Sequence, residues 1–465
     1  MFGYYLMPHP PIMIPEIGKG QEAQIQKTID ACYAIGQEVS GLDIDTIIII
    51  TPHGTVFHDG VALINTEVIE GDFSKFGAKE VSFKLNINTQ LTSEIVEEAK
   101  KLNIVAVALN KSIAKKYNIS LELDQGAAVP LYHIKNTEKY KIVHITYGML
   151  SPIELYSFGM AIEKACKKTN TKAAIIASGD LSHRLSNNGP YPYSPYGEKF
   201  DLQIVNLLKE GDFMKLFSLD STLISEAAEC GLRSLYILAG TLEQKEVKAE
   251  ILSYEGPFGV GYCVARFKAR EGKSLYNDLM SLGKEKHIKR LKEGNSYTKL
   301  ARNNIDNYFK TGKPLSVEDI ADRELLNDKK GVFVSLKIRG ELRGCIGTIE
   351  AATASVGEEI LKNSLSAAFN DPRFSPLREE ELYEIDISVD LLYPTEKCSF
   401  SELDPDNYGV IVTSGRKRGL LLPNLQGVDS KEQQVSIALQ KAGIASSEPY
   451  EIERFKVERF KEVEA

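Results

Sequence analysis

Two periodicities alternate over the first 266 residues. Short runs dense in β-branched residues, at 46–50, 141–146 and 173–177, predict strands buried on both faces. Residues 2–6, apolar and aromatic, are strand-like as well. Between these runs, apolar positions recur every three or four residues, as at 21–39 and 92–102, and predict helices packed by one face. Buried strands alternating with helices predict an α/β unit, its sheet mostly parallel or mixed and flanked by helices.

From 269 to 295 the pattern breaks: lysine and arginine crowd in and the strand signal vanishes. This stretch is expected to be a basic connector with some helix, separating a unit at 1–268 from one at 296–465. In the second unit, 297–311 and 352–369 have helical spacing. Residues 332–338 alternate like a strand and pass through a turn at Arg339-Gly340-Glu341 into 342–349, which predicts a hairpin. Further strands are expected at 384–392, 409–413 and 419–422. Hairpins mixed with helices predict a smaller α+β domain.

Composition narrows the class. The chain has 465 residues, 43% hydrophobic and 26% charged, the balance of a globular protein with room for two or three domains. A net charge of -8 leaves no general basic footprint for nucleic acid. No apolar run is long enough to span a bilayer. The first 15 residues are apolar but broken by His9 and prolines, without the basic lead of a signal peptide. The six cysteines are scattered with no CxxC pair, which suits a reducing cytoplasm.

Candidate chemistry collects at strand ends. His9, in Met7-Pro-His-Pro-Pro11, follows the first strand, and His53, in Thr51-Pro-His-Gly54, follows the second. Ligands of open α/β sheets gather at the carboxyl ends of strands. Two imidazoles placed there beside rigid prolines suit a transition metal such as Fe, Zn or Cu. His183, in Ser178-Gly-Asp-Leu-Ser-His183, follows a third buried strand, with Asp180 three residues before it. An imidazole is the usual general acid or base. Glu229 lies in Glu226-Ala-Ala-Glu-Cys-Gly-Leu-Arg-Ser234, at the start of an apolar helix. It either favours the helix dipole or completes a two-histidine, one-carboxylate set of the non-haem Fe(II) kind. Cys230, next to it, offers a thiolate and a softer site.

These four motifs, in this order, resemble the LigB-like class III extradiol dioxygenases and the related Memo proteins, over residues 1–268. The resemblance implies Fe(II), or another divalent transition metal, bound by His9, His53 and Glu229. His183 would serve as acid and base on an unknown aromatic or catechol-like molecule. Memo relatives place a cysteine where the carboxylate stands, so Cys230 is the alternative third ligand. Asp124-Gln-Gly126 resembles an Asp-His-Gly segment of the dioxygenases, with Gln125 in the histidine's place. Glutamine cannot shuttle a proton near neutral pH. His144, at the end of the strand at 141–146, is the imidazole nearest in pattern to compensate.

Leu342-Arg-Gly-Cys-Ile-Gly347, Asn370-Asp-Pro-Arg-Phe-Ser-Pro-Leu377 and Gly419-Leu-Leu-Leu-Pro423 resemble the AMMECR domain family over 296–460. Glycines around Cys345 permit close approach of another group, and Arg343 nearby is expected to lower its thiol pKa. Arg343 and Cys345 are therefore the candidate site of the second unit. The fusion resembles two parts of the AmmeMemoRadiSam system and implies a radical-SAM protein as partner. The alternative role is then a metal-binding or metal-relay protein that partners or modifies such an enzyme, without dioxygenase activity.

Overall fold

The computed structural model describes residues 3–338, 340–425 and 427–463. The chain divides into two compact units between Leu282 and Gly283.

The first unit contains β1 (Gly3–Met7), β2 (Thr46–Thr51), β3 (Val61–Ile64), β4 (Val68–Phe73), β5 (Ala78–Asn86), β6 (Ala106–Leu109), β7 (Lys141–Thr146), β8 (Ala173–Ser178), β9 (Lys245–Glu255) and β10 (Tyr262–Glu271). Eight of these make one sheet in the order β6-β3-β7-β2-β8-β1-β10-β9, while β4 and β5 pair apart. The sheet is mixed. Its centre, β7-β2-β8-β1, is parallel, and antiparallel pairs join β3 to β7 and β1 to β10.

Alternation along β2 feeds both faces. Ile48 and Ile50 enter one core, under the helices Thr89–Lys101, Pro152–Thr169, Pro195–Glu210 and Leu232–Thr241. Ile47 and Ile49 enter the other, under Gln26–Gly41 and Gln125–Tyr132. Burial on both faces is why the central strands carry no polar stripe.

Two helices of the first face touch through glycine. A Cβ on Gly240 would stand 1.8 Å from the Tyr156 carbonyl oxygen, and one on Gly159 would stand 2.1 Å from that of Ile237. Gly240→Ala is therefore expected to destabilise the unit by about 1–3 kcal/mol through overpacking. Gly41→Ala, where a Cβ meets nothing within 4 Å, should change stability by less than about 0.5 kcal/mol. Urea unfolding of the two variants checks the contrast.

The second unit holds β11 (Gly331–Ile338), β12 (Glu341–Gly347), β13 (Ile385–Leu392), β14 (Glu396–Lys397), β15 (Gly409–Ser414), β16 (Lys417–Leu421), β17 (Glu451–Phe455) and β18 (Val457–Lys461). They form two antiparallel sheets, β12-β11-β13-β18 and β14-β17-β15-β16. Helices Ser296–Thr311 and Val356–Phe369 cover the apolar face of the first, and Lys431–Ala442 packs on the second. The expected hairpin is β11–β12; Arg339 of its turn lies outside the described residues, and Gly340 takes φ +81°.

The stretch expected to be a solvated connector is a helix, Leu275–Glu293. Its early residues Leu275, Tyr276, Leu279 and Met280 join the first unit's core. Beyond the boundary, His287 and Arg290 are buried in the second unit: His287 Nε2 donates to Asp306 Oδ2 at 2.7 Å, and Arg290 Nη1 to the Ile385 carbonyl at 3.0 Å. Of its lysines and arginines only Arg290 is buried, while Lys284, Lys289 and Lys292 are exposed. Among the described residues, no helix is long and apolar enough to cross a membrane.

Candidate metal site

β2, β8 and β1 are neighbours and parallel, so their carboxyl ends lie side by side. His53, Asp180, His183 and His9 follow those ends within a few residues. Cys230 arrives from the turn before Leu232–Thr241. That turn settles directly on the end of β8, because a Cβ on Gly179 would lie 2.2 Å from the Gly231 Cα. Position 179 has no room for a side chain in this approach, so it requires glycine. The Asp180 N–H meets Cys230 Sγ at 3.3 Å and fixes the thiol inward.

The geometry groups five side chains. His9 Nε2 and His53 Nε2 face each other at 2.9 Å, with their rings at 89°. Cys230 Sγ stands 3.8 Å from His9 Nε2 and 3.9 Å from His183 Nε2. Asp180 Oδ2 is 4.0 Å from Nε2 of both His9 and His183. Its other oxygen, Oδ1, accepts from the His9 backbone N–H at 3.0 Å.

Hydrogen bonds choose the tautomers. Ser178 Oγ donates to the Gly126 carbonyl, so at 3.0 Å it accepts from His9 Nδ1–H. His183 Nδ1 lies 2.5 Å from the Ala228 carbonyl, which can only accept. Both rings therefore turn an Nε2 lone pair toward the group, as metal-binding histidines do when an acceptor holds the other nitrogen. Burial pushes the His9 imidazole down to about 4, keeping it neutral. Burial, with His9 alongside, lowers His53 as well. Burial raises the Asp180 carboxyl to about 6 and lifts the Cys230 thiol well above its ordinary value.

Glu229 sits differently. Its Oε2 accepts from the Leu232 N–H at 2.6 Å, the first turn of the following helix. The carboxylate is used as a helix-terminal acceptor, and the thiol one residue later faces the imidazoles. Gln125 is half-buried at the first position of Gln125–Tyr132. His144 is buried behind the site: its Nε2 meets Asp124 Oδ2 at 2.7 Å. Asp124 also accepts from Thr51 Oγ1 at 2.6 Å and caps its helix at Ala127 N. Burial works to raise this carboxyl, yet the bonds from His144 and Thr51 hold it at about 2.

His9, His53 and Cys230 offer donors of the nitrogen-and-sulfur kind. With metal–nitrogen bonds of about 2.0–2.1 Å and metal–sulfur of about 2.3 Å, tetrahedral ligands lie about 3.3 Å (N···N) and about 3.6 Å (N···S) apart. Among the described residues no three His, Cys, Asp or Glu side chains already stand at such spacing. For His9, His53 and Cys230 the His–His distance and the His9–Cys230 distance each need to change by only about 0.2–0.4 Å.

Asp201 is a buried acid that sequence patterning did not single out. It accepts from Ser182 N at 2.7 Å and from Tyr254 Oη at 2.8 Å, and burial raises it to about 7. A carboxyl raised on folding loses stability as pH climbs from its unfolded value, about 4, through its folded value. Relative to Asp201→Asn, the protein should therefore lose stability, on the order of a few kcal/mol, as pH rises from 4 toward 8. Below pH 4 the two pH profiles should run parallel. Unfolding midpoints measured across that range check the slope.

Residues 3–265 match the family model described as the catalytic LigB subunit of aromatic ring-opening dioxygenase. The chain belongs to the LigB family. Residues 298–463 match AMMECR1, so this LigB-family chain carries an AMMECR1 unit behind its LigB unit. Protein CA_C1420 of Clostridium acetobutylicum is 50% identical over 463 residues, 99% of both chains. A Thermotoga maritima protein is 46% identical over 168 residues, 36% of this chain and 97% of its own. Among solved structures, PH0010 of Pyrococcus horikoshii is 30% identical with a TM-score of 0.33, covering 36% of this chain and 90% of its own. JW3007 of Escherichia coli K12 is 12% identical with a TM-score of 0.40, covering 57% and 99%.

Proposed function

We propose that the LigB unit binds one transition metal through His9, His53 and Cys230, with His183 and Asp180 managing a proton of a small molecule beside it. The observation that carries this reading is His9 Nε2, which stands 2.9 Å from His53 Nε2 and 3.8 Å from the inward Cys230 Sγ. Two imidazoles and a thiolate suit Fe(II) or a softer divalent ion. The bound metal would supply Lewis acidity and redox capacity.

His183 has a defined task in this arrangement. Its Nδ1–H is tied to Ala228, so Nε2 is the atom that takes a proton from an acidic hydroxyl. Asp180, 4.0 Å away, stabilises the imidazolium that results. The Tyr191 ring, 6.0 Å from the His183 ring and tilted by 31°, offers an aromatic wall on the open side. Gln125, which cannot carry a proton, leaves His183 as the acid-base group facing the thiol.

Extradiol ring-opening of a catechol is the second reading, and membership of the LigB family favours it. A metal relay serving a radical-SAM protein is the competing role, favoured by the thiolate in the donor set. Six free cysteines suit a reducing cytoplasm for either. Anaerobic loading with Fe(II) should yield one metal per chain. Air and a panel of catechols then separate the roles: coloured ring-opened products establish the dioxygenase, and their absence with metal still bound assigns the relay. Failure of the chain to retain metal overturns both.

A further inference from the structure

The second unit holds a cluster of its own, on the face of the β12-β11-β13-β18 sheet opposite its apolar core. Val334, Leu336, Ile387 and Val389 point into that core. On the other face, Cys345, Ser335 and Ser388 are register partners across three strands, and Asp390 and Arg459 are partners two residues along. Ser335 Oγ donates to Cys345 Sγ at 3.2 Å.

The cation beside this thiol is Arg373, where the sequence suggested Arg343. Arg343 directs Nε and Nη2 to Glu381 at 2.6 and 2.9 Å, and Nη1 to the Ser375 carbonyl at 3.0 Å. It fixes the loop that carries Arg373. Arg373 in turn is clamped by Asp371, at 2.9 and 2.7 Å, and its Nη2 also donates to the Cys345 carbonyl at 3.1 Å. The Cys345 N–H donates to the same Asp371 at 2.9 Å. Arg459 grips Asp390 with two bonds of 2.7 and 2.9 Å. Both carboxylates are buried, and both are already paired.

Three donors remain. Arg373 Nη1, Arg459 Nη1 and Lys441 Nζ make no hydrogen bond among the described residues. They come from a loop, a strand and a helix. Burial and the Arg373 guanidinium both pull the Lys441 amine down, which places it in the same field. Burial pushes the Cys345 thiol up, against the pull of Ser335 and Arg373, so the neutral thiol adds a fourth donor. Arg373 and Lys441 are exposed and Arg459 and Cys345 half-buried, so these N–H groups face solvent beside the thiol and are open to an acceptor with negative charge.

We propose that this face binds a small oxyanion, the phosphoryl or carboxylate group of a metabolite, between Arg373, Arg459 and Lys441 and against Cys345. Guanidinium groups pre-set by buried carboxylates match the planar spread of oxyanion oxygens and lose little freedom on binding. The site is independent of the metal and of the LigB unit's role.

Equilibrium dialysis of the full chain tests it, with labelled inorganic phosphate in one arm and labelled succinate in the other, at matched ionic strength. One ion should bind per chain, saturably. Lys441→Gln and Arg459→Gln should each weaken binding at least about tenfold, or about 1.4 kcal/mol. Lys441 makes no hydrogen bond to lose, so its variant keeps the fold. At about four times its dissociation constant the ion should slow alkylation of Cys345 roughly fivefold, leaving Cys398 unchanged. Binding of phosphate alone assigns a phosphoryl ligand, and binding of succinate alone assigns a carboxylate. No saturable binding of either, or binding unchanged in both variants, overturns the proposal.

Discussion

Cys230→Ala is expected to weaken metal binding about a hundredfold, or about 2.7 kcal/mol, while Glu229→Ala leaves it within about threefold. His9→Ala should match the cysteine variant, because its Nε2 lone pair is the one oriented by the Ser178–Gly126 chain. Glu229→Ala should instead cost about 0.5–2 kcal/mol of stability, the usual penalty for removing an acceptor from a helix start. Titration of the apo-protein with Fe(II), read alongside urea unfolding, separates the two effects. Metal lost with Glu229→Ala and kept with Cys230→Ala would restore the two-histidine, one-carboxylate ligand set.

The largest effect on folding is expected at Arg302. This side chain is fully buried. It makes two bonds to Glu462, at 2.5 and 2.7 Å, and donates to the carbonyls of Leu382 and Ile385 at 2.9 and 2.7 Å. Its Nη1 also meets His287 Nδ1 at 2.9 Å, which sets the tautomer that donates to Asp306. Arg302→Met leaves the Glu462 carboxylate buried with only the Ile387 N–H and the more distant Arg290, and removes one donor each from the Leu382 and Ile385 carbonyls. Breaking a buried pair from one side costs about 3–5 kcal/mol. The unfolding transition of the second unit should drop by that amount. A change below about 1 kcal/mol would mean the network relaxes freely.

What the sequence disclosed follows from how local each signal is. The strands at 46–51, 141–146 and 173–178 are buried on both faces, so their apolar density is visible without a partner. His9, His53 and His183 follow such strands directly, and parallel neighbours bring their ends together. The edge ribbon β9–β10 carries a weaker pattern because many of its positions are exposed. Which of Glu229 and Cys230 faces the imidazoles turns on the path of one turn, where Gly231 meets Gly179 some fifty residues away in sequence. Ser178 and Asp124 lie within legible motifs, yet their work is to orient His9 and His144 through contacts 169 and 20 residues apart. Arg343 lies two residues from Cys345, but a register shift near Leu336 and Lys337 and the buried Glu381 draw it to another task. The helix Leu275–Glu293 has the composition of a basic connector because its lysines, at 284, 286, 289 and 292, follow a short apolar stretch that joins the first unit's core.

X-ray absorption at the metal edge of the loaded full-length protein tests the central claim most directly. The arrangement of His9, His53 and Cys230 predicts one sulfur at about 2.3 Å together with imidazole nitrogens at about 2.0–2.1 Å. The sulfur contribution should vanish in Cys230→Ser. A shell of nitrogen and oxygen alone in the unaltered protein would contradict the account.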